Sequence, residues 1–373
     1  MTGVPTNTAA WLPAKHARLQ VGAAPYTSPA KGEIVVENHA VAINPLDWIL
    51  QLVGNVIFRW IRYPFVLGAD LAGEVVEVGA GVSRFQVGDR VLAHAVGTDK
   101  KRNRAAEGSF QRYTVVLAHL TAPIPDTMAY EDAAVLPLGL STAACGLFQT
   151  DHLALTHPSA SPVPAGQTVL VWGGSTSVGS NAIQLAVAAG YDVVTTASPK
   201  NNDYVTGLGA SRVFDYRDPT VVEQIVQALA GTTLAGAIAV GAGSTDPCLD
   251  VVGRCAGPRL VSTASTAVSF NGLPDRPGSK LVSLLLRLAA SSTASAIRSR
   301  RRGVRMTSIF GSTLMDNEVG SAIYVDFLPA ALADGRYVAA PPPHVVGTGL
   351  EHLQAGLDLQ KRGVSASKIV VRL

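Results

Sequence analysis

Residues 171-VWGGSTSVGS-180 follow an apolar run, 168-TVLVW-172, and open onto 178-VGSNAIQLAVAAG-190, whose Ile183, Leu185, Ala186 and Ala189 can face a sheet. A strand, a tight turn and a helix in this order can bind a dinucleotide. Small residues there let the backbone bend, approach a pyrophosphate and pack the helix closely. Set on the pattern G-x-G-x-x-G, the stretch supplies Gly174 and Gly179 but puts Thr176 in the middle. Taken alone, the two glycines equally suit a plain strand-to-helix turn. The flanking strand and helix favour the nucleotide reading. The hydroxyls of Ser175, Thr176 and Ser177 can donate to phosphate where the helix dipole and free amides attract an anion.

Reading downstream, 191-YDVVTTAS-198, 213-VFDY-216, 237-AIAVG-241 and 259-RLVSTAS-265 alternate with helical stretches. Such alternation predicts βαβ units wound into a parallel sheet. Upstream, 33-EIVVENHAVAI-43, 74-EVVEVG-79, 89-DRVLAHAV-96 and 110-FQRYTVV-116 are short β-rich runs between turns, expected to form a largely antiparallel, barrel-like unit. The last stretch, 336–373, returns to strand, helix, strand and is expected to fold back onto the first unit. The fold class is therefore α/β: residues 137–335 form a Rossmann-type domain, and 1–136 with 336–373 form the β-rich one, with a cleft between the parts.

The second strand discriminates between cofactors. An NAD site usually carries an acid about 20 residues past the turn, accepting from the ribose 2′-hydroxyl. Here the strand ends in Ser198, Lys200 and Asn201, with no carboxylate. A hydroxyl and an ammonium suit a 2′-phosphate, so NADPH is expected rather than NADH.

Composition narrows the class further. With 47% hydrophobic and 15% charged residues the chain reads as soluble and well buried, and 30 basic against 27 acidic residues give no reason to expect a nucleic-acid partner. Three irregularly placed cysteines do not make a disulfide framework, and the N-terminus lacks a secretory pattern, so a reducing, cytoplasmic setting is expected. The segment 281-LVSLLLRLAASSTASAI-297 is apolar, but Arg287 and its serines make it a poor bilayer span. It reads as a helix over a pocket, at a subunit contact or on a membrane surface. The basic cluster 298-RSRRRGVR-305 is expected to be a solvated loop.

Taken jointly, 42-AINPLDW-48, 64-PFVLGADLAGEVVEVGAGVSRFQVGDRV-91, 108-GSFQRYTVV-116, 133-AAVLPLGLSTAACGL-147, 171–194 and 363-GVSASKIVVRL-373 resemble the zinc-free, quinone oxidoreductase-like branch of the medium-chain dehydrogenases/reductases. Closer still is the likeness to fungal concanamycin-induced oxidoreductases, with the stand-alone enoyl reductases of polyketide synthesis more distant. The resemblance implies a GroES-like first domain. It also implies that Ser198, Lys200 and Tyr216 contact the adenosine 2′-phosphate and that Ser175 to Val178 cradle the pyrophosphate. Asn44, Thr142, Thr263 and Ile369 would lie near the nicotinamide.

No metal is expected. A catalytic zinc needs three Cys, His or carboxylate ligands, yet Ala69 stands where zinc enzymes of this superfamily place a histidine, and 95–110 contains no cysteine. Without a Lewis acid, reduction of a polarised C=C bond or a quinone is favoured over alcohol oxidation. Asp47, Tyr63 and Thr142 are the candidate catalytic residues: Thr142 fixing the nicotinamide end, Asp47 organising that corner or serving structure, Tyr63 donating a proton or forming a wall. In the polyketide-associated reductases a lysine often stands where this chain has Ile49, so the likeness supports the cofactor more than an acid. A small-molecule substrate, bulky and apolar, is expected, walled by 48–63 and in part by 281–297, though the same richness in Trp, Phe, Leu and Ile equally suits plain core. A homodimer is a family expectation, with 307-TSIFGSTL-314 as its edge strand. The rival readings are an NADPH-binding protein without catalysis that acts through a partner, a zinc-independent carbonyl reductase and a zinc-dependent alcohol dehydrogenase.

Overall fold

The run Glu33–Ile43 forms an 11-residue strand that is buried along most of its length. It borders Asp70–Val78 along one edge, while Tyr113–Leu117 and Lys368–Arg372 pair in turn along the other. A computed structural model describes residues 5–373, and its contacts divide the chain into two compact units. The first takes the chain up to Leu138, then Pro274–Pro277 and Met315–Leu373. Its seven-stranded sheet is antiparallel except for Pro343–Thr348 against Lys368–Arg372. A three-stranded sheet of Gln20–Ala24, Asn7–Leu12 and Phe65–Val66 adds to it. Register shifts in the pairing of Glu33–Ile43 with Asp70–Val78 let that sheet curl, as bulges do.

The second unit, Gly139–Leu273 with Gly278–Leu314, is built on six parallel strands. Their order is Arg212–Asp215, Asp192–Ala197, Gln167–Trp172, Thr233–Ala239, Leu260–Thr263 and Arg305–Ser308. Numbered along the unit, that is 3-2-1-4-5-6, the doubly wound arrangement whose switch point lies beside the first strand. Leu170, Val194, Ala237 and Val261 of the sheet pack with Ile225, Leu249 and Val252 into one core. Each large side chain fully buried this way contributes about 1.5–3 kcal/mol.

The structure departs from the expected organisation in three places. The chain re-enters the first unit at Met315 rather than at 336. Tyr324 explains why: it is fully buried, its hydroxyl donates to the Pro137 carbonyl at 2.9 Å, and its own carbonyl accepts from Arg84 at 3.3 Å. The cluster 298–305 is not a loop, because Arg298 to Arg302 form the last turns of a helix, Ser279–Arg302, closed by Gly303 in the left-handed region. Of 307–314, only the start belongs to an edge strand, Arg305–Ser308, and Gly311–Asp316 is a 3₁₀ turn. All three cysteines carry free thiols.

Candidate functional site

In the second unit the site begins where Gln167–Trp172 ends. Gly173 turns the chain at φ +87, a conformation that favours glycine, and a Cβ there would lie 2.6 Å from the Val240 carbonyl. Thr176, at the position of the missing glycine, caps the helix Ser177–Ala188. Its hydroxyl donates to the Gly173 carbonyl at 2.8 Å and accepts from the Gly179 amide at 3.0 Å. Both halves of that hydroxyl are thus committed to the turn, which corrects the expectation that it donates to phosphate.

Two glycines hold the helix against the strands. A Cβ on Gly179 would lie 2.2 Å from the Gly173 carbonyl oxygen, and one on Gly174 would lie 2.2 Å from Thr195 Oγ1. Among the described residues the amides of Ser175, Ser177 and Val178 have no backbone partner, and the buried Ser177 hydroxyl has no hydrogen bond. Unpaired donors at a helix N-terminus are an anion site in waiting.

At the end of Asp192–Ala197, Ser198 is nearly buried and leads a single 3₁₀ turn, Pro199–Asn201. Lys200 points outward with no ion-pair partner among the described residues, and Asn201 is buried. Tyr216 follows the neighbouring strand, 44% exposed, with the Arg217 guanidinium 5.3 Å from its ring centroid. Arg217 is a further cation that the sequence reading did not single out. Thr263 is nearly buried and its hydroxyl donates to the Thr307 carbonyl at 3.0 Å. Thr142 lies almost buried on the helix Pro137–Phe148.

The first unit holds a second polar constellation. Asn44 precedes the helix Pro45–Val53, and its amide donates to Asp47 Oδ2 at 2.8 Å. The Asn44 side chain donates from Nδ2 to Asp70 Oδ2 at 2.8 Å and accepts from Lys368 Nζ. Lys368 Nζ also lies 2.8 Å from Asp70 Oδ2, and Asp70 Oδ1 accepts from the Leu138 amide at 2.6 Å. Asp70 is wholly buried and Lys368 nearly so. A buried pair satisfied on all sides fixes geometry, because losing either member strands a charge.

Burial lifts the Asp47 carboxyl to about 7, opposed by the bond from the Asn44 amide and assisted by the Asp70 charge. His94, across the sheet from Asp70, is pushed down to about 4 by burial, and its Nδ1 has no partner among the described residues.

Ile369 is completely buried in register with Ile43, so its side chain belongs to the core. Tyr63 sets its hydroxyl against the Gly54–Asn55 backbone, accepting from the Asn55 amide at 3.3 Å, and burial raises it above its ordinary value. Much of 48–63 is core: Trp48, Leu50, Leu52, Val53 and Ile61 are buried. A cavity of about 500 Å³ opens on its second half, and Arg59 and Arg62 make its rim cationic rather than apolar. Among the described residues no three His, Cys, Asp or Glu side chains converge, the set a catalytic zinc would need.

Residues 30–126 match the model of the alcohol dehydrogenase GroES-like domain. Over its whole length the chain is similar to known fungal proteins. It is 51% identical to dehydrogenase pigH of Monascus ruber, over 99% of this chain and 100% of that one. It is 39% identical to trans-enoyl reductase himH of Aspergillus japonicus, over 98% and 97%. Among solved structures, the CurK enoyl reductase shares the fold with a TM-score of 0.73 at 18% identity, covering 99% of both chains. The quinone oxidoreductase of Coxiella burnetii does so with a TM-score of 0.67 at 18% identity, over 99% and 100%. A doubly wound sheet, a β-rich unit matching the GroES-like model and relatives spanning the full chain together make this protein a member of the medium-chain dehydrogenase/reductase superfamily of nicotinamide-dependent oxidoreductases.

Proposed function

We propose that the chain is an NADPH-dependent reductase of activated C=C bonds or quinones that works without zinc. The observation that carries this reading is the pairing of two features in the second unit: a helix N-terminus with unpaired amides, and a second strand ending in Ser198 and Lys200 where an NAD site would have a carboxylate. When bound, NADPH supplies a hydride from its nicotinamide C4 to the β-carbon of an enone, enal or enoyl group, or to a quinone.

The chain's own residues position and shield. The amides of Ser175, Ser177 and Val178, with the unpaired Ser177 hydroxyl, meet the pyrophosphate. Ser198, Lys200, Asn201 and Tyr216 meet the 2′-phosphate. Thr142 and Thr263 steady the nicotinamide end. In the first unit Asp47 is a positioning residue, since it is buried and accepts from the Asn44 amide. Asn44 is likewise held, between Asp70 and Lys368. Tyr63 forms a wall, and water delivers the proton to the α-carbon. The names of its relatives, dehydrogenases and trans-enoyl reductases, agree with this class.

A panel of enals, enones and quinones offered with NADPH or NADH tests the reading. NADPH consumption with at least one acceptor class, slower with NADH and unchanged by a chelator, is the expected result. Tight binding of NADPH without turnover on any acceptor would favour a non-catalytic role.

A further inference from the structure

The helix Ser279–Arg302 runs for 24 residues between two parallel strands of one sheet. One of its sides is anchored. Leu281 and Leu284 are buried, Ser295 donates to Asp246 at 2.8 Å, and Arg298 and Arg302 pair with Asp250 at 2.8 and 2.9 Å.

Among the described residues nothing covers the opposite side. Val282, Leu286, Ala289, Ala290, Thr293 and Ile297 recur at steps of three and four residues and so form one stripe, about 22 Å long. Along it Val282 is 58% exposed, Leu286 67% and Ile297 47%. By length and composition the helix is apolar enough to cross a bilayer, yet little of it is buried. Crossing is ruled out by topology, since both ends return to the same sheet.

Charge decides what can cover the stripe. The helix contains Lys280, Arg287, Arg298, Arg300, Arg301 and Arg302 and not one acidic residue. Arg287, Arg300 and Arg301 have no ion pair among the described residues, and Arg300 continues the line of the stripe. A second copy laid on this face would bring arginines against a helix with nothing to neutralise them. A soluble polyanion would match the arginines and leave the stripe wet. An anionic bilayer satisfies both, because acyl chains take the apolar side chains and headgroup charge takes the guanidinium groups.

We propose that this helix face docks the protein peripherally on an anionic lipid surface, lying in the plane of the interface. The inference stands apart from the reductase reading.

Full-length protein sedimented with vesicles tests it. Vesicles of equal phosphatidylcholine and phosphatidylserine should carry the protein down at low salt, phosphatidylcholine alone should not, and raising salt should release it. The pair Leu286→Ser and Ile297→Ser should weaken binding by about tenfold, and Arg300→Gln with Arg301→Gln by about fivefold for each charge removed. All four side chains are on the uncovered side, and an unchanged urea midpoint confirms intact folding for each variant. The proposal is overturned if the protein stays in solution with phosphatidylserine vesicles, or if the Leu286 and Ile297 changes leave binding untouched. It is also overturned if sedimentation velocity reveals a dimer that Leu286→Ser dissociates, since a second copy would then own the face.

Discussion

At the scale of single residues, the proposed preference for NADPH rests on Lys200. It is an exposed ammonium with no partner among the described residues, next to a near-buried Ser198 hydroxyl. Replacing it by alanine should raise the Kd for NADPH about tenfold and leave that for NADH unchanged, as titration of protein fluorescence would report. Equal losses for both cofactors would remove Lys200 from 2′-phosphate recognition.

Lys200 stands out as a candidate because a cofactor rule fixes where to look, about 20 residues past the turn. Asp70 and Lys368 were not singled out, although 64-PFVLGADLAG-73 and 363-GVSASKIVVRL-373 were. Each is the charged first residue of its strand, Asp70–Val78 and Lys368–Arg372, and only the fold reveals that these two charges neutralise each other 2.8 Å apart. Thr176 was misjudged for a related reason. A hydroxyl in a turn can serve a ligand or the backbone, and here the backbone claims its proton and one of its two lone pairs.

For whole elements, periodicity was a sound guide wherever packing followed local pattern. The strand Glu33–Ile43 and the helix Ser177–Ala188 lie where alternation and turn chemistry put them. The rule that charge runs are solvated loops failed at 298–305. The acids that let this run stay helical, Asp246 and Asp250, come from a different helix, Thr245–Val252.

The turn before Ser177–Ala188 yields a prediction at this scale. Gly179→Ala forces a Cβ to within 2.2 Å of a backbone carbonyl that cannot rotate away. The helix must lift from the strand, with a stability loss of about 1–3 kcal/mol and loss of NADPH binding, read by urea unfolding and by titration. Wild-type stability in this variant would mean the turn is not the tight joint described.

Across the whole molecule, two buried groups set opposing dependences on pH. Asp47 titrates at about 7 in the folded chain against an ordinary 3.8. Between those values the folded state holds a proton the unfolded state has lost, so this contribution to stability declines as pH rises through 7. His94, held at about 4 against 6.5, works the other way, and its contribution grows as pH rises from 4 to 6.5. Removing one should unmask the other. Asp47→Asn should gain stability relative to wild type as pH goes from about 5 to about 8, measured as urea midpoints. A constant difference between the two proteins would show that Asp47 ionises normally.

The two-unit plan was readable because each unit has its own period, two for the curled sheet and alternating strand and helix for the other. The late boundary was not, since the burial of Tyr324 depends on packing that no local pattern announces.

The central claim concerns where a hydride goes. Reaction of the purified protein with an α,β-unsaturated aldehyde or ketone and NADPH carrying deuterium at C4, followed by NMR of the product, tests it most directly. Deuterium on the β-carbon of a saturated carbonyl product is the predicted result. Deuterium on the carbonyl carbon of an allylic alcohol, or full recovery of labelled NADPH beside every enal, enone and quinone supplied, would contradict it.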